Sequence, residues 1–290
     1  MKEKILDDFK GLGEMIEIPT SKFYKKNNPL YVCKYSGLIR AKNIRSSKEI
    51  ATAWSDEVYG SKFDEKNYTA LIPAVKARQT YVADFTHVNL NLNNKNICDI
   101  GAGEGQFFEI ILEKKYTANC FGIEPSKNNC DQLNKKGFKS FVGTAEEYSQ
   151  SSEFSEKKFD IVTIMWTLVN VASCIDIVKA AYHMLKPGGY IVVAEGSRIL
   201  VPFKKPLNYY LSPISTDLHP YHYSANSLAN LLKVVGFKIT KMNRYIDSDY
   251  LCLIGKKEDK FHNNTFEVDN YNDVLSFFER WHHETEKYYK

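Results

Sequence analysis

An open, mainly parallel α/β sheet is the fold class that this 290-residue sequence predicts, and three observations carry it. From Asn96 onward, short apolar runs alternate with amphipathic helical stretches, the order expected of strands joined by crossover helices. Phe159 to Met165 (FDIVTIM) reads as an apolar run of the kind found in a central parallel strand buried on both faces. The glycines of Gly101-Ala102-Gly103-Glu104-Gly105 fall where a first strand turns into a first helix.

Each element follows in order. Ile97-Cys98-Asp99-Ile100 is the first strand of this region, and Gly105 to Lys114 a helix with Phe108, Ile111 and Leu112 on one side. Asn119 to Ile123 is the second strand, and Ser126 caps a helix to about Lys136. Lys139 to Val142 is the third strand and FDIVTIM the fourth. A helix then runs to Leu185, Pro187-Gly188-Gly189 turns the chain, and Tyr190 to Ala194 is the fifth strand. Ser224 or Asn226 starts a helix that ends at Gly236. Phe237–Tyr245 and Tyr250–Lys256 form a closing strand pair. Residues 271–290 read as a terminal amphipathic helix with Leu275, Phe278 and Trp281 facing inward. Upstream, residues 1–45 mix short apolar pieces with Pro19, Pro29 and polar turns. Ser46 or Ser47 caps a helix through Trp54, and a second helical stretch spans roughly Tyr68 to Phe85, with Pro73 near its first turns. Asn89 to Lys95 is a linker, so the chain divides into a cap at 1–95, a main domain at 96–257 with an insertion at 196–226, and a helical extension at 258–290.

Composition narrows the function classes. A 43% hydrophobic and 26% charged chain with only 15 Gly and 9 Pro is neither disordered nor fibrous. The net charge of +4 is small, and the lysines come in pairs spread over the whole length, a solvated surface rather than a nucleic-acid footprint. No apolar run reaches the ~18 residues of a spanning helix, and MKEKILDDFKGLGEM carries acids where a secretion signal would be apolar. The six cysteines (33, 98, 120, 130, 174, 252) have no framework spacing and are expected as reduced thiols in a cytoplasmic protein.

The glycine loop carries the chemistry. Glycines between strand and helix permit a tight turn and let a ligand approach backbone that a Cβ would block. A dinucleotide fingerprint needs Gly at 101, 103 and 106; position 106 is Gln, and the third glycine falls at 105. Asp99 places a carboxylate just before the first glycine, where it would repel a pyrophosphate and suit a cationic, phosphate-free ligand. Glu124, about 20 residues on at the end of the second strand, is placed to accept hydrogen bonds from ribose hydroxyls. Together they describe a nucleoside with a positive amino-acid tail, S-adenosylmethionine.

ICDIGAGEGQFFEIILEK, GIEPS, VGTAEEY, FDIVTIMWTLVNV and MLKPGGYIVVAE, in that order over about Asn96–Lys256, resemble the class I S-adenosylmethionine-dependent methyltransferases. The segment CKYSGLIRAKNIRSSKEIATAWSDEVYGSKF resembles the N-terminal part of bacterial sugar C-methyltransferase relatives, in which a CxxCG ribbon binds zinc. The resemblance implies a Rossmann-like, mostly parallel seven-stranded sheet with a closing antiparallel strand, plus a small N-terminal cap. It implies that Asp99, Gly101, Gly103 and Gly105 hold the methionine part, Glu124 the ribose, and Ala145 and Glu146 the adenine. Trp166 and Thr167 would border the methyl end, and Tyr59, Tyr68 and Arg78 would cap the cofactor, whose product is S-adenosylhomocysteine. Two departures stand out. Cys33-Lys34-Tyr35-Ser36-Gly37 keeps one cysteine of the CxxCG pair, so no metal is expected. Leu168-Val169-Asn170-Val171 carries Asn170 where many relatives have histidine, and an amide cannot serve as a base.

A hydroxyl or carbon acceptor needs a base, whereas an amine needs only its lone pair. The long segment 196–226 follows the fifth strand at the carboxyl edge where open α/β sheets bind ligands. It offers His219 and His222 as candidate general bases, with Asp217 to orient one of them. The expected activity is methyl transfer to a small polar acceptor, a hydroxyl of a sugar or sugar nucleotide, by a monomer or homodimer with no nucleic-acid or membrane partner. The competing readings are C- or N-methylation of another metabolite, RNA or protein methylation, and a non-catalytic S-adenosylmethionine-binding protein.

Overall fold

The alternation from Asn96 onward folds into one seven-stranded sheet in the structure, a computed structural model that describes residues 13–19, 28–54, 65–156, 159–196, 199–202, 206–211, 218–244, 250–258 and 266–288. The elements before this sheet are strands β1 (Met15–Glu17), β2 (Leu30–Cys33) and β3 (Ile39–Ala41) and helices α1 (Ser47–Thr52) and α2 (Glu65–Leu90). The main region follows as β4 (Asn96–Ile100), α3 (Gln106–Glu113), β5 (Asn119–Glu124), α4 (Lys127–Lys135), β6 (Lys139–Val142), α5 (Ala145–Gln150), β7 (Phe159–Met165), α6 (Cys174–Met184) and β8 (Leu185–Gly196). The rest is α7 (Leu207–Tyr210), β9 (Tyr221–His222), α8 (Ala225–Val235), β10 (Phe237–Met242), β11 (Tyr250–Lys257) and α9 (Tyr271–Glu286).

The sheet order is β10-β11-β8-β7-β4-β5-β6. β8, β7, β4, β5 and β6 run parallel, and β11 lies antiparallel between β8 and β10. Helices cover both faces, which is why FDIVTIM lacks a polar side: Val162 and Ile164 pack with α6 residues such as Val178 and Ala181, and Ile161 and Met165 with Phe107 and Ile111 of α3. Helix starts use the expected caps: Ser46 and Glu49 form a capping box on α1, Ser126 accepts from the Asn129 N–H, and Ser224 caps α8, which ends at left-handed Gly236. α2 is longer than the sequence indicates. It runs unbroken past Phe85 to Leu90 with Pro73 inside it, and Val82 and Ala83 belong to the core on the α3 face.

A second, antiparallel sheet, β1-β2-β3-β9, forms a cap. Its last strand comes from the segment after β8: Ile39 pairs with His222 and Arg40 with Tyr221, and the Ala41 N–H donates to the Pro220 carbonyl at 2.7 Å. Ile18, Leu30, Val32 and Ile39 of this cap pack against Val274, Phe277, Phe278 and Trp281 of α9 and Leu207 and Leu211. Leu275 is only partly buried there, and Val274 and Phe277 take the inward positions beside Phe278 and Trp281. The cap is therefore assembled from three stretches far apart in sequence, joined by an apolar core of their own. Cys33 lies buried in β2, its thiol accepting the Tyr35 N–H at 3.4 Å. Among the described residues no helix is long and apolar enough to cross a membrane.

Candidate active site

A cavity of about 710 Å³ lies at the carboxyl ends of β4, β5, β7 and β8, between the main sheet and the cap. The sheet lines one side with Gly101, Gly103, Glu124, Trp166 and Glu195. The cap lines the other with Trp54, Tyr210, His219, Tyr221 and His222. Its volume is that of a small-molecule site.

The turn after β4 is shaped for close approach. Gly101 has φ +76°, and a Cβ there would stand 2.3 Å from the Thr167 hydroxyl, so the turn and the loop after β7 fit only with glycine. Gly103 has φ +54° with nothing within 4 Å of a would-be Cβ, an open cradle on the cavity wall. Glu124 is buried at the end of β5. One carboxylate oxygen accepts the Gly103 N–H at 3.0 Å, and the other accepts Ser126 N–H at 3.0 Å and Asn129 Nδ2 at 3.4 Å. Burial pushes its pKa up and these hydrogen bonds oppose the shift. A carboxylate has about four acceptor positions, so capacity remains for a ligand hydroxyl.

The other expected residues separate into those the cavity gathers and those it does not. Ala145, Glu146, Trp166, Thr167 and Arg78 line it. One buried Glu146 oxygen has no hydrogen-bond partner among the described residues. Trp166, at φ +52°, donates its backbone N–H to the Ala194 carbonyl at 2.7 Å, and the Arg78 guanidinium lies 4.2 Å from the centre of its ring. Asp99 does not line the cavity: its carboxylate points into the sheet, where Oδ1 accepts the Thr163 hydroxyl at 2.6 Å, and burial pushes its pKa up to about 7. Gly105 also sits behind the wall, at the start of α3 against Leu133. Tyr59, Asp217 and the Tyr68 side chain lie outside the described residues.

Both histidines reach the cavity in unequal settings. His222 is buried in β9, its Nδ1 2.9 Å from the Tyr210 hydroxyl. His219 lies beside Trp54, ring centres 6.0 Å apart, and its Nδ1 contacts the Asn170 Oδ1. Burial lowers the His219 pKa to about 4, so the ring is neutral near pH 7 and a weak base.

Glu195 is a site residue that the sequence reading passed over. It is fully buried at the end of β8. Oε1 accepts the Leu168 N–H at 2.7 Å, with the Val169 and Thr167 N–H groups alongside, and Oε2 has no hydrogen-bond partner among the described residues. Burial pushes its pKa up to about 8, against the pull of those N–H groups and of Arg78. An acid inside the apolar run IVVAEG was the signal available. Among the described residues the one group with metal-ligand geometry is His282, His283 and Glu286 on α9, none of which lines the cavity.

A family model described as "Methyltransferase domain" matches residues 75–242. The chain is 27% identical over 170 residues to the ubiquinone/menaquinone biosynthesis C-methyltransferase of Vibrio campbellii, covering 51% of this chain and 66% of that protein. It is 26% identical over 172 residues to the demethylmenaquinone methyltransferase of Tropheryma whipplei, covering 52% and 69%. Among solved structures, the 1,6-didemethyltoxoflavin-N1-methyltransferase of Burkholderia thailandensis matches with a TM-score of 0.57 at 15% identity, over 77% of this chain and 96% of that one. The magnesium protoporphyrin IX methyltransferase of Synechocystis matches with a TM-score of 0.52 at 12% identity, over 73% and 99%. At such identities the structural likeness is one of fold.

Proposed function

The chain belongs to the methyltransferase-domain family, and on that premise we propose that it transfers a methyl group from S-adenosylmethionine to a small-molecule acceptor with an aromatic ring. The observation that carries this reading is the open backbone cradle at Gly103, hydrogen-bonded to the buried Glu124 carboxylate on the wall of a cavity of small-molecule size. The residues fit the cofactor. Gly101 and Gly103 admit its amino-acid tail to the backbone, Glu124 accepts from the ribose hydroxyls, and Glu146 has an oxygen for the adenine amine. The cofactor supplies a methyl group on a sulfonium, activated toward in-line attack. The chain's own part is to place the acceptor and keep water out, which accounts for much of the acceleration in such displacements.

The acceptor class is read from the cap. Trp54, Tyr210, Tyr221 and His219 line the cavity on that side, with Trp166 on the sheet side, and aromatic walls of this kind suit a planar ring. The relatives reported above favour a ring of this kind: two of them carry quinones in their names, and none a sugar. The sugar hydroxyl expected from the sequence therefore gives way to an aromatic acceptor. Calorimetry with S-adenosylmethionine, followed by transfer of labelled methyl into a panel of hydroxylated aromatics and sugar nucleotides, tests both parts. No cofactor binding removes the reading, and labelling of sugar nucleotides alone removes the acceptor class.

Glu124→Gln provides a sharper check on the cofactor's placement. It keeps an oxygen for the Gly103 N–H, removes the charge that strengthens the ribose contact, and turns an amide nitrogen toward the Ser126 N–H and Asn129 Nδ2, so the variant's melting temperature is measured beside its affinity. A hydrogen bond to a charged group contributes ~1.5–3 kcal/mol, so affinity should fall about 10- to 100-fold. An unchanged Kd by calorimetry would place the ribose elsewhere.

A further inference from the structure

His219 and Asn170 belong to different parts of the molecule, the cap and the loop after β7, and they meet at the cavity wall. Asn170 is fixed first. It closes the short turn Leu168–Asn170, its own N–H bonded to the Thr167 carbonyl at 2.8 Å, and its side-chain Nδ2 donates to the Trp166 carbonyl at 2.9 Å. A backbone carbonyl only accepts, so the Asn170 atom facing it must be the amide nitrogen, and the atom facing His219 must be the oxygen. That oxygen cannot donate either. The His219 nitrogen against it, Nδ1, must therefore carry the ring's proton.

The scaffold behind this contact is rigid. Glu195 holds the turn from below through the Leu168 N–H, and Trp166 is pinned by the Ala194 carbonyl and by Arg78 across its ring. On the cap side, the residues after His219 are tied into the sheet by the Pro220 carbonyl and by the β3–β9 pairing. The turn after β7 thus presents an amide that orients a histidine supplied by the cap.

We propose that Asn170 is a positioning residue that locks His219 in the Nδ1–H tautomer, leaving Nε2 to accept a hydrogen bond from an O–H or N–H of the acceptor in the cavity. This rests on the small-molecule reading of the site for the identity of the partner, but the tautomer does not depend on it. The consequence is a specificity rule: an acceptor carrying a donor beside the methylated atom is bound, and its fully alkylated analogue is disfavoured. It also gives the neutral ring a role that a weak base can perform, orientation of the acceptor.

The test is the ring nitrogen spectrum of the cofactor-free protein labelled with ¹⁵N-histidine, with His219→Gln used to assign one resonance pair among the seven histidines. Near neutral pH, His219 should show a protonated Nδ1 and a bare Nε2, the reverse of the form favoured by imidazoles in water. Asn170→Ala should return it toward the Nε2–H form. A merely structural asparagine would lower the melting temperature and leave the tautomer as it was. Wild-type His219 protonated on Nε2 overturns the proposal, whether or not the variant folds. Hydroquinone and 1,4-dimethoxybenzene then probe the open nitrogen. Hydroquinone should move the Nε2 resonance and the dimethoxy compound should not. Equal responses, or none up to the solubility limit, overturn the acceptor-binding role. A failure of cofactor binding would leave the tautomer result unchanged, so the two readings fail separately.

Discussion

Gly103→Val is expected to lose S-adenosylmethionine binding by about 100-fold or more while the protein stays folded. The side chain would grow into the cavity, because nothing of the protein lies within 4 Å of the added Cβ. Filling a ligand's space typically costs ~1–3 kcal/mol, and the ligand also loses its approach to the backbone. Valine at φ +54° brings strain of its own, so the experiment needs a matched control. Gly137 provides one: its φ is +86°, its surroundings are equally open, and it does not line the cavity. Gly137→Val should show a similar fall in melting temperature and wild-type affinity by calorimetry. If both variants lose the cofactor, the effect is strain. If neither does, the cradle is not where the ligand sits.

The pairing of these two glycines shows what the sequence could reveal. The 101–105 loop was legible because strand, glycines and helix follow one another within a few residues, and Glu124 because it ends the next strand. The direction of Asp99 was not legible from its nearness to the loop. Strand residues alternate faces, and Asp99 points toward Thr163 on the neighbouring strand while Ile100 points toward the cavity. The cap was legible only in pieces. β9 is two residues long, and its partner β3 lies some 180 positions earlier, so no local periodicity marks the pairing. Asn170 could be set aside as a base from its chemistry alone. Its service to His219 depends on a tertiary contact between segments 49 residues apart.

Stability of the cofactor-free protein should fall as pH rises from about 4 toward 8, the opposite of ordinary acid denaturation, because of Asp99 and Glu195. Both carboxyls are fully buried, and burial holds their pKa values up at about 7 and about 8. In the unfolded chain each would titrate near 4. A group whose folded pKa is raised holds its proton in the native state after the unfolded state has released it. Its contribution is therefore complete below about pH 4 and is lost as pH climbs through the folded value. His219 acts in the other direction. Its folded pKa of about 4 lies below the ordinary 6.5, so its contribution grows as pH rises between those values and partly masks the carboxyls there. The net decline of these three groups should then be steepest between about pH 6.5 and 7, where His219 no longer compensates and both carboxyls still contribute. Urea unfolding across that range isolates the effect when wild type is compared with the double variant Asp99→Asn/Glu195→Gln. The amides keep acceptors for Thr163 and for the Leu168 N–H but cannot ionise. From about pH 5 to 8.5, wild type should lose on the order of 5 kcal/mol relative to the variant. Parallel pH profiles for the two proteins would mean that both carboxyls are already ionised in the native state.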